Sequence, residues 1–414
     1  MKIGFFTDSY LPMRDGVTTS VETCARALEQ RGHEIYIIAP RQPGYKDKRK
    51  NIYRLTSIKF VNTPEVRWAL QLPEKSLLQV FKIDFNIIHG HSGGGVTLIG
   101  LQIARAKGIP YVGTYHTLFS HYTHYFFNGK IIRPRMIELT SKFIGNLCDY
   151  LIAPTERVKK ELISYGVTKP INVLPNGIDV ENYKNVEKGF LRKKTKISHD
   201  KKILLYIGRL GKEKSVDFLI QTFKLIHEHH HNTALVIVGD GPEKQNLKNI
   251  AETLHLNGDV YFLGEIAHIT IPKVYADADV FVFASQTETQ GMVILEAFAS
   301  GLPVVAVDDD VFKNVIESNK NGYLVKKDTG EFAKKVLHII TNKIIYKKFS
   351  HQASQSASKF SVETTAFYLE KLYEKLIEEK EKNLKMKKIQ RISVRQFKQF
   401  VSRVKDELTN LFEI

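Results

Sequence analysis

The chain has 414 residues, 43% of them apolar, and a formal net charge of +17. That length exceeds what one hydrophobic core usually serves, so two domains of ordinary size are expected. Its two cysteines, Cys24 and Cys148, stand far apart and lack companions at metal-ligand spacing, which argues against a disulfide scaffold and a zinc site and favours a reducing cytoplasm.

The first residues, MKIGFFTDSYLP, hold one lysine and a short apolar run, too little for a secretory signal. No window reaches the ~18 uninterrupted apolar residues of a membrane span. The expectation is a protein that neither crosses a membrane nor is exported. The positive charge calls for a polyanionic partner, and nucleic acid, an anionic lipid surface and a phosphorylated small substrate all qualify.

In chain order, KIGFFTD predicts a strand, Val21–Arg31 a helix and EIYIIAP a second strand; NIIHGH, a helix to Lys107 and PYVGTYH repeat the alternation. This order predicts doubly wound α/β domains with parallel sheets, whose ligands bind beyond the carboxyl ends of the strands. Composition shifts over Tyr183–Lys202, which is read as a linker. The second domain then runs through ILLYIGRL, a helix to about His230, ALVIVGDGP, VYFLGE, VFVFAS and PVVAVDDD. The expected segments are 1–185, 186–360 and a C-terminal piece, 361–414. After Gly330 the pattern is helical, and Lys382–Lys405 carries nine Lys or Arg and no Asp or Glu. There, Phe397, Phe400, Val401, Val404, Leu408 and Leu411 share one face. This basic amphipathic tail is suited either to packing on a domain or to lying on anionic lipid.

Chemistry concentrates after the strands. Gly16 follows the first strand and precedes a helix, with Thr18, Thr19 or Ser20 as N-cap candidates; a glycine there lets backbone N–H groups approach an anion. No G-x-G-x-x-G follows that strand, so this is not a dinucleotide fingerprint. In the second domain, GRLGKEK places Arg209 and Lys214 in the loop after a strand, where two fixed cations can neutralise a diphosphate. The turn GDGP at Gly239 follows the next strand. The segment TETQGMVILEAF brings Glu288 before, and Glu296 within, a helix opened by Gly291, whose end favours phosphate. Eight helical residues span roughly 12 Å, more than the about 5 to 9 Å between carboxylates that share one glycosidic bond. The pair therefore suits an elongated ligand, a nucleotide sugar with its diphosphate on the helix end.

With GRLGKEK, GDGP, PNGID and ASGLPVVA, the E-x7-E of Glu288 and Glu296 resembles retaining glycosyltransferases of the GT-B fold, over roughly residues 1–370. The resemblance implies two Rossmann-like domains facing a cleft, with C-terminal crossover helices. It also implies Arg209 and Lys214 as the diphosphate clamp, Glu296 on the ribose and Glu288 on the sugar hydroxyls. Gly291, Met292 and Val293 would then offer backbone contacts, and Gly16 would approach the phosphate. A narrower run, GTYHTLFSHYTHYFFNGKIIRPR, resembles bacterial diacylglycerol 3-α-glucosyltransferases and implies a histidine near the reacting centre at His116. The substrates implied are UDP-glucose and the 3-hydroxyl of 1,2-diacylglycerol. Neither cofactor nor metal is expected, and a peripheral location on the inner face of the cell membrane follows.

Acceptor and membrane contacts are expected from Trp68, Tyr122, Tyr125, Phe126, Phe127, Lys130, Arg133 and Arg135, which mix aromatic and basic character. His116, His121 and His124 lack the thiolate or carboxylate companions of a metal set. Asp277-Ala-Asp279 is read as a structural helix end, and Asp308–Asp310 as following a strand. Other readings are a related enzyme with a phosphatidylinositol or polysaccharide acceptor, a lectin-like protein, and a nucleic-acid binder. The last lacks any helix-turn-helix, zinc or RNA-binding motif.

Overall fold

The structure is a computed structural model that describes residues 1–13, 15–59, 67–70, 74–116 and 134–386. The chain forms two compact units, one of Met1–Gly177 with the segment from Val362 onward, the other of Ile178–Ser361.

The first unit runs β1 (Lys2–Thr7), α1 (Gly16–Gln30), β2 (Glu34–Pro40), β3 (Ile52–Leu55), β4 (Ser57–Lys59), β5 (Arg67–Ala69), α2 (Lys75–Lys82), β6 (Ile87–His91), α3 (Gly95–Lys107), β7 (Tyr111–Thr114), α4 (Pro134–Leu147), β8 (Tyr150–Ala153), α5 (Glu156–Ser164) and β9 (Ile171–Val173). Its main sheet is parallel throughout, in the order β3-β2-β1-β6-β7-β8-β9. Successive strand side chains point to opposite faces, and both faces are covered. Phe6, Ile38 and Ile88 pack with Val96, Leu98 and Ile99 of α3, whereas Phe5, Ile37 and Ile87 pack with Val21, Ala25 and Leu28 of α1. Strands buried on both sides read as continuous apolar runs, and for this reason β1, β2 and β6 are visible in the sequence.

Helix α1 starts earlier than the sequence suggests. Its N-cap is Asp15, whose side chain accepts from Thr18 N at 2.7 Å and from Ser9 Oγ at 2.6 Å. Thr18 and Ser20 are buried inside the helix, so the predicted caps Thr18, Thr19 and Ser20 give way to the aspartate.

The second unit contains α6 (Phe190–Thr195), β10 (Lys202–Ile207), α7 (Val216–His229), β11 (Thr233–Val238), α8 (Lys244–Thr253), β12 (Val260–Gly264), α9 (Ile271–Ala276), β13 (Val280–Phe283), α10 (Met292–Ala299), β14 (Val304–Val307), β15 (Gly322–Val325), α11 (Thr329–Thr341) and α12 (Lys343–Ser358). Its six strands are parallel in the order β12-β11-β10-β13-β14-β15. In both sheets the strand order reverses beside the first strand, at β1/β6 and β10/β13, the place where open α/β sheets bind ligands.

Tyr183–Lys202 is not a free linker. Val180, Tyr183 and Leu191 are buried in the second core, and Asp277 accepts from the backbone N–H of Gly189 and of Leu191, tying α6 to the unit. The second unit therefore opens at Ile178 rather than at 186. The chain returns through α13 (Val362–Met386), whose Val362, Ala366, Leu369, Tyr373 and Leu376 complete the α1 side of the first sheet. The segment beginning near 361 is thus part of the first unit's core. The tail face from Phe397 to Leu411 lies outside the described residues.

Candidate active site

In the second unit the candidate residues gather at the carboxyl ends of β10 and β13. Beyond β10, the Tyr206 hydroxyl donates to Arg209 O at 3.1 Å and Gly208 N donates to Val238 O, which shapes the turn. The turn leaves Arg209 exposed and returns the chain at Lys214. Lys214 Nζ lies 2.5 Å from Glu288 Oε1, with side chains only 12% and 18% exposed. Residues 74 positions apart are thus brought into one charged pair, and the exposed Arg209 adds a second cation at the same strand end.

Two glycines in this region are dictated by geometry. Gly239 has φ +128°, and a Cβ there would stand 2.0 Å from Gly208 O. Gly291 is the N-cap of α10 with φ +74°, and its Cβ would stand 2.7 Å from Phe312 Cε1. Both positions combine a left-handed backbone with a contact that any side chain would violate. Met292 and Val293 occupy the first turn of α10, both partly buried.

Glu296 lies deeper in α10. Its Oε2 accepts from the Tyr275 hydroxyl at 2.9 Å, and the Tyr183 hydroxyl also bonds to the carboxyl group. Burial pushes its carboxyl up to about 7, although both tyrosine hydroxyls pull the other way. The Tyr275 hydroxyl also reaches Val293 O at 3.1 Å, so one phenol links the carboxyl to the first turn of the helix. Sequence reading missed Tyr183 and Tyr275. Tyr183 sits in the stretch taken for a linker and Tyr275 ends a short helix, so neither carries a motif.

The aspartates of Asp277-Ala-Asp279 are engaged structurally, as the sequence suggests. Asp277 caps α6, while Asp279 accepts from Lys202 Nζ and from Ile203 N, both at 2.9 Å. Asp308 and Asp310 are exposed after β14, and Asp309 accepts from Val311 N. Among the described residues, no group of three or more His, Cys, Asp or Glu is arranged to hold a metal ion.

In the first unit, His116 stands two residues beyond β7 and is buried, and with His89, His91, Thr114, Ser20 and Asn176 it lines a small pocket. Its Nε2 lies 3.0 Å from His91 Nδ1. Burial lowers the His116 imidazole to about 4, so it is neutral at physiological pH. His89 is held by the Tyr373 hydroxyl and by Thr114 Oγ1, each at 2.6 Å, and burial lowers it to about 3. Sequence reading singled out His116 without this companionship, because a contact between side chains 25 positions apart leaves no local pattern.

Gly16 is the first residue of α1, and a Cβ there would meet nothing within 4 Å. Trp68 is 41% exposed and pairs across β4 and β5 with Ile58, itself 54% exposed. Arg135 is exposed on α4. Tyr122, Tyr125, Phe126, Phe127, Lys130 and Arg133, with His121 and His124, lie outside the described residues.

Two doubly wound parallel units, with a cation–carboxylate pair and a glycine-capped helix beside the strand-order reversal of the second, define an enzyme of the glycosyltransferase class with the GT-B fold. Family models agree: residues 187–359 match glycosyl transferases group 1, and residues 14–182 match Glycosyltransferase Family 4. The chain belongs to this glycosyltransferase family. It is 33% identical over 332 residues to alpha-monoglucosyldiacylglycerol synthase of Streptococcus pneumoniae (strain ATCC BAA-255 / R6), covering 78% of this chain and 75% of that one. The synthase of the same name from Acholeplasma laidlawii is 29% identical over 413 residues, covering 94% of this chain and 100% of that one. Among solved structures, Anabaena Alr3699/HepE in complex with UDP and glucose superposes with a TM-score of 0.73 at 19% identity, over 91% of this chain and 100% of that chain. At that identity the likeness speaks to fold.

Proposed function

We propose that the protein transfers glucose from UDP-glucose to the 3-hydroxyl of 1,2-diacylglycerol with retention of anomeric configuration. The observation that carries the donor chemistry is the Lys214–Glu288 pair next to the Gly291 cap of α10. A cation, a carboxylate and a helix N-terminus within one loop cluster suit a sugar joined to a diphosphate. The names of the two relatives support the lipid acceptor.

In the proposed reaction, the bond from the anomeric carbon to the diphosphate oxygen breaks and its electron pair stays on that oxygen. The acceptor oxygen bonds to the same carbon on the same face, and its proton passes to the leaving phosphate. Arg209, Lys214 and the α10 end stabilise the charge that grows on the diphosphate, a term that acts more on the transition state than on the ground state. These fixed charges do the work a metal does elsewhere, so no cofactor is invoked. Glu296 binds the ribose, Glu288 the hydroxyls of the transferred sugar, and Gly16 the phosphate. Gly239, Met292 and Val293 complete the donor contacts, and His116 orients the sugar.

The enzyme works peripherally on the inner membrane face in this proposal. Exposed Ile58, Trp68 and Leu78 on the first unit, together with the basic tail, support docking. No described helix is long and apolar enough to cross a membrane. Incubation with radiolabelled UDP-glucose and mixed micelles of diacylglycerol, with and without anionic lipid, tests the proposal. An organic-extractable labelled glycolipid is expected, and label only in water-soluble product would overturn the lipid acceptor.

A further inference from the structure

His91 closes β6, the strand beside β1 at which the order of the first sheet reverses. That position ordinarily faces a ligand, yet His91 is 3% exposed and its ring is fixed on several sides. The edge of Phe5 lies 4.7 Å away between centroids, His89 4.1 Å and His116 5.3 Å. His89 is itself locked by Tyr373 and Thr114. The nitrogens of His91 have unequal surroundings: Nδ1 lies 3.0 Å from Nε2 of His116, while the buried Nε2 has no hydrogen-bond partner among the described residues.

A contact of 3.0 Å between two imidazoles needs a hydrogen on one nitrogen and a lone pair on the other. Burial keeps both rings neutral, so each carries one proton. If His116 donated from Nε2, the His91 proton would sit on the enclosed Nε2 with no acceptor among the described residues. If His91 donates from Nδ1, its Nε2 is only a bare lone pair, and the His116 proton moves to Nδ1. An enclosed donor without an acceptor is the rarer defect in folded proteins.

We infer that His91 is a positioning residue for glycosyl transfer: by donating from Nδ1 it fixes the ring and tautomer of His116, which therefore meets the transferred sugar as an Nδ1–H hydrogen-bond donor. This rests on the assignment of His116 to the sugar made above. His91 touches no reacting atom in this scheme. Its contribution is to remove a choice of tautomer and a ring rotation that would otherwise divide the His116 population.

Three variants separate the roles of the two nitrogens. H91N keeps an amide N–H near the Nδ1 position, H91Q keeps a polar atom only near Nε2, and H91L keeps neither. In mixed micelles with UDP-glucose and diacylglycerol, kcat is expected to fall about tenfold to a hundredfold in H91L and H91Q. KM for UDP-glucose should stay within about twofold, and H91N should recover most of the loss. In 15N-histidine spectra of the full-length protein, His116 is expected as the Nδ1–H tautomer in the wild type and H91N, and as a mixture in H91L and H91Q. Equal kcat losses in H91N and H91Q, or an unchanged His116 tautomer in H91Q, would overturn the inference. Should H91L not fold, H91N and H91Q carry the comparison alone. A wild type that transfers no sugar to diacylglycerol refutes the proposed reaction, and the nitrogen spectra then still decide the role of His91.

Discussion

Glu288 and Glu296 occur eight positions apart and have opposite environments. Glu288 is ion-paired with Lys214 at 2.5 Å, whereas Glu296 is gripped by tyrosine hydroxyls and held up to about 7 by burial. We expect Glu288→Gln to lower kcat on the order of tenfold to a hundredfold with little change in donor KM, because its partner acts where charge develops. Glu296→Ala should chiefly raise donor KM, and steady-state kinetics with the reverse pattern would sink both roles. The pH dependence follows from the raised carboxyl. Between its ordinary value of 4.5 and about 7, the unfolded chain has released this proton and the folded chain retains it. The stability this group adds is therefore full below the lower value and is lost as pH rises through the upper one. For binding the sign is opposite, since a ribose hydroxyl donates best to the ionised carboxylate. Donor KM is expected to fall as pH rises through about 7, and Glu296→Gln to flatten that profile; a wild-type KM flat from pH 6 to 8 by the same assay would exclude the assignment.

The short helix α10 links the proposed donor residues to the core. Ile294, Leu295, Ala297 and Phe298 are buried, so its first turn is held by packing and its opening by Gly291. Gly291→Ala introduces a Cβ at a positive φ against Phe312 and should cost about 2 kcal/mol, read as a lower midpoint in denaturant unfolding. Gly16→Ala is the contrast, since nothing lies within 4 Å of its Cβ. The same unfolding measurement should show a change of less than about 1 kcal/mol, while donor KM rises if the backbone there approaches phosphate. Helix α13 supplies Tyr373, whose hydroxyl lies 2.6 Å from His89 Nδ1. The helix expected to cross back to the first domain thus both covers a sheet face and steadies the histidine stack.

At the scale of the molecule, the charge of +17 is unevenly placed, with nine basic residues and no acidic ones between Lys382 and Lys405. Each is worth about 1 kcal/mol near an anionic surface. Deleting the residues after Glu381 is expected to weaken binding to anionic vesicles at low salt, and sedimentation showing no change at any salt would remove the tail from the docking scheme. Because Arg209, Lys214 and the α10 end are proposed to carry the diphosphate charge, transfer should persist within about twofold in excess EDTA, whereas Lys214→Ala should cut kcat roughly a hundredfold.

The sequence alone determined the layered α/β class and the central strands such as β1, β2, β6, β10 and β11, because a strand covered on both faces must be an unbroken apolar run. It also marked Gly239 as following a strand and Gly291 as opening a helix, and Arg209, Lys214, Glu288 and Glu296 as a group, whereas the contacts that demand glycine at 239 and 291 belong to the fold. The helix start at Asp15 and the allegiance of Tyr183–Lys202 were decided only in three dimensions. An aspartate competes with several hydroxyls as a cap, and a charged stretch hides the few buried residues, Tyr183, Leu191 and Ile197, that anchor it. The same holds for the pairing of Lys214 with Glu288, for the tyrosines around Glu296 and for the contact of His91 with His116. Each joins residues distant along the chain, and a local pattern carries no record of which partner a buried polar group will meet once packing closes around it.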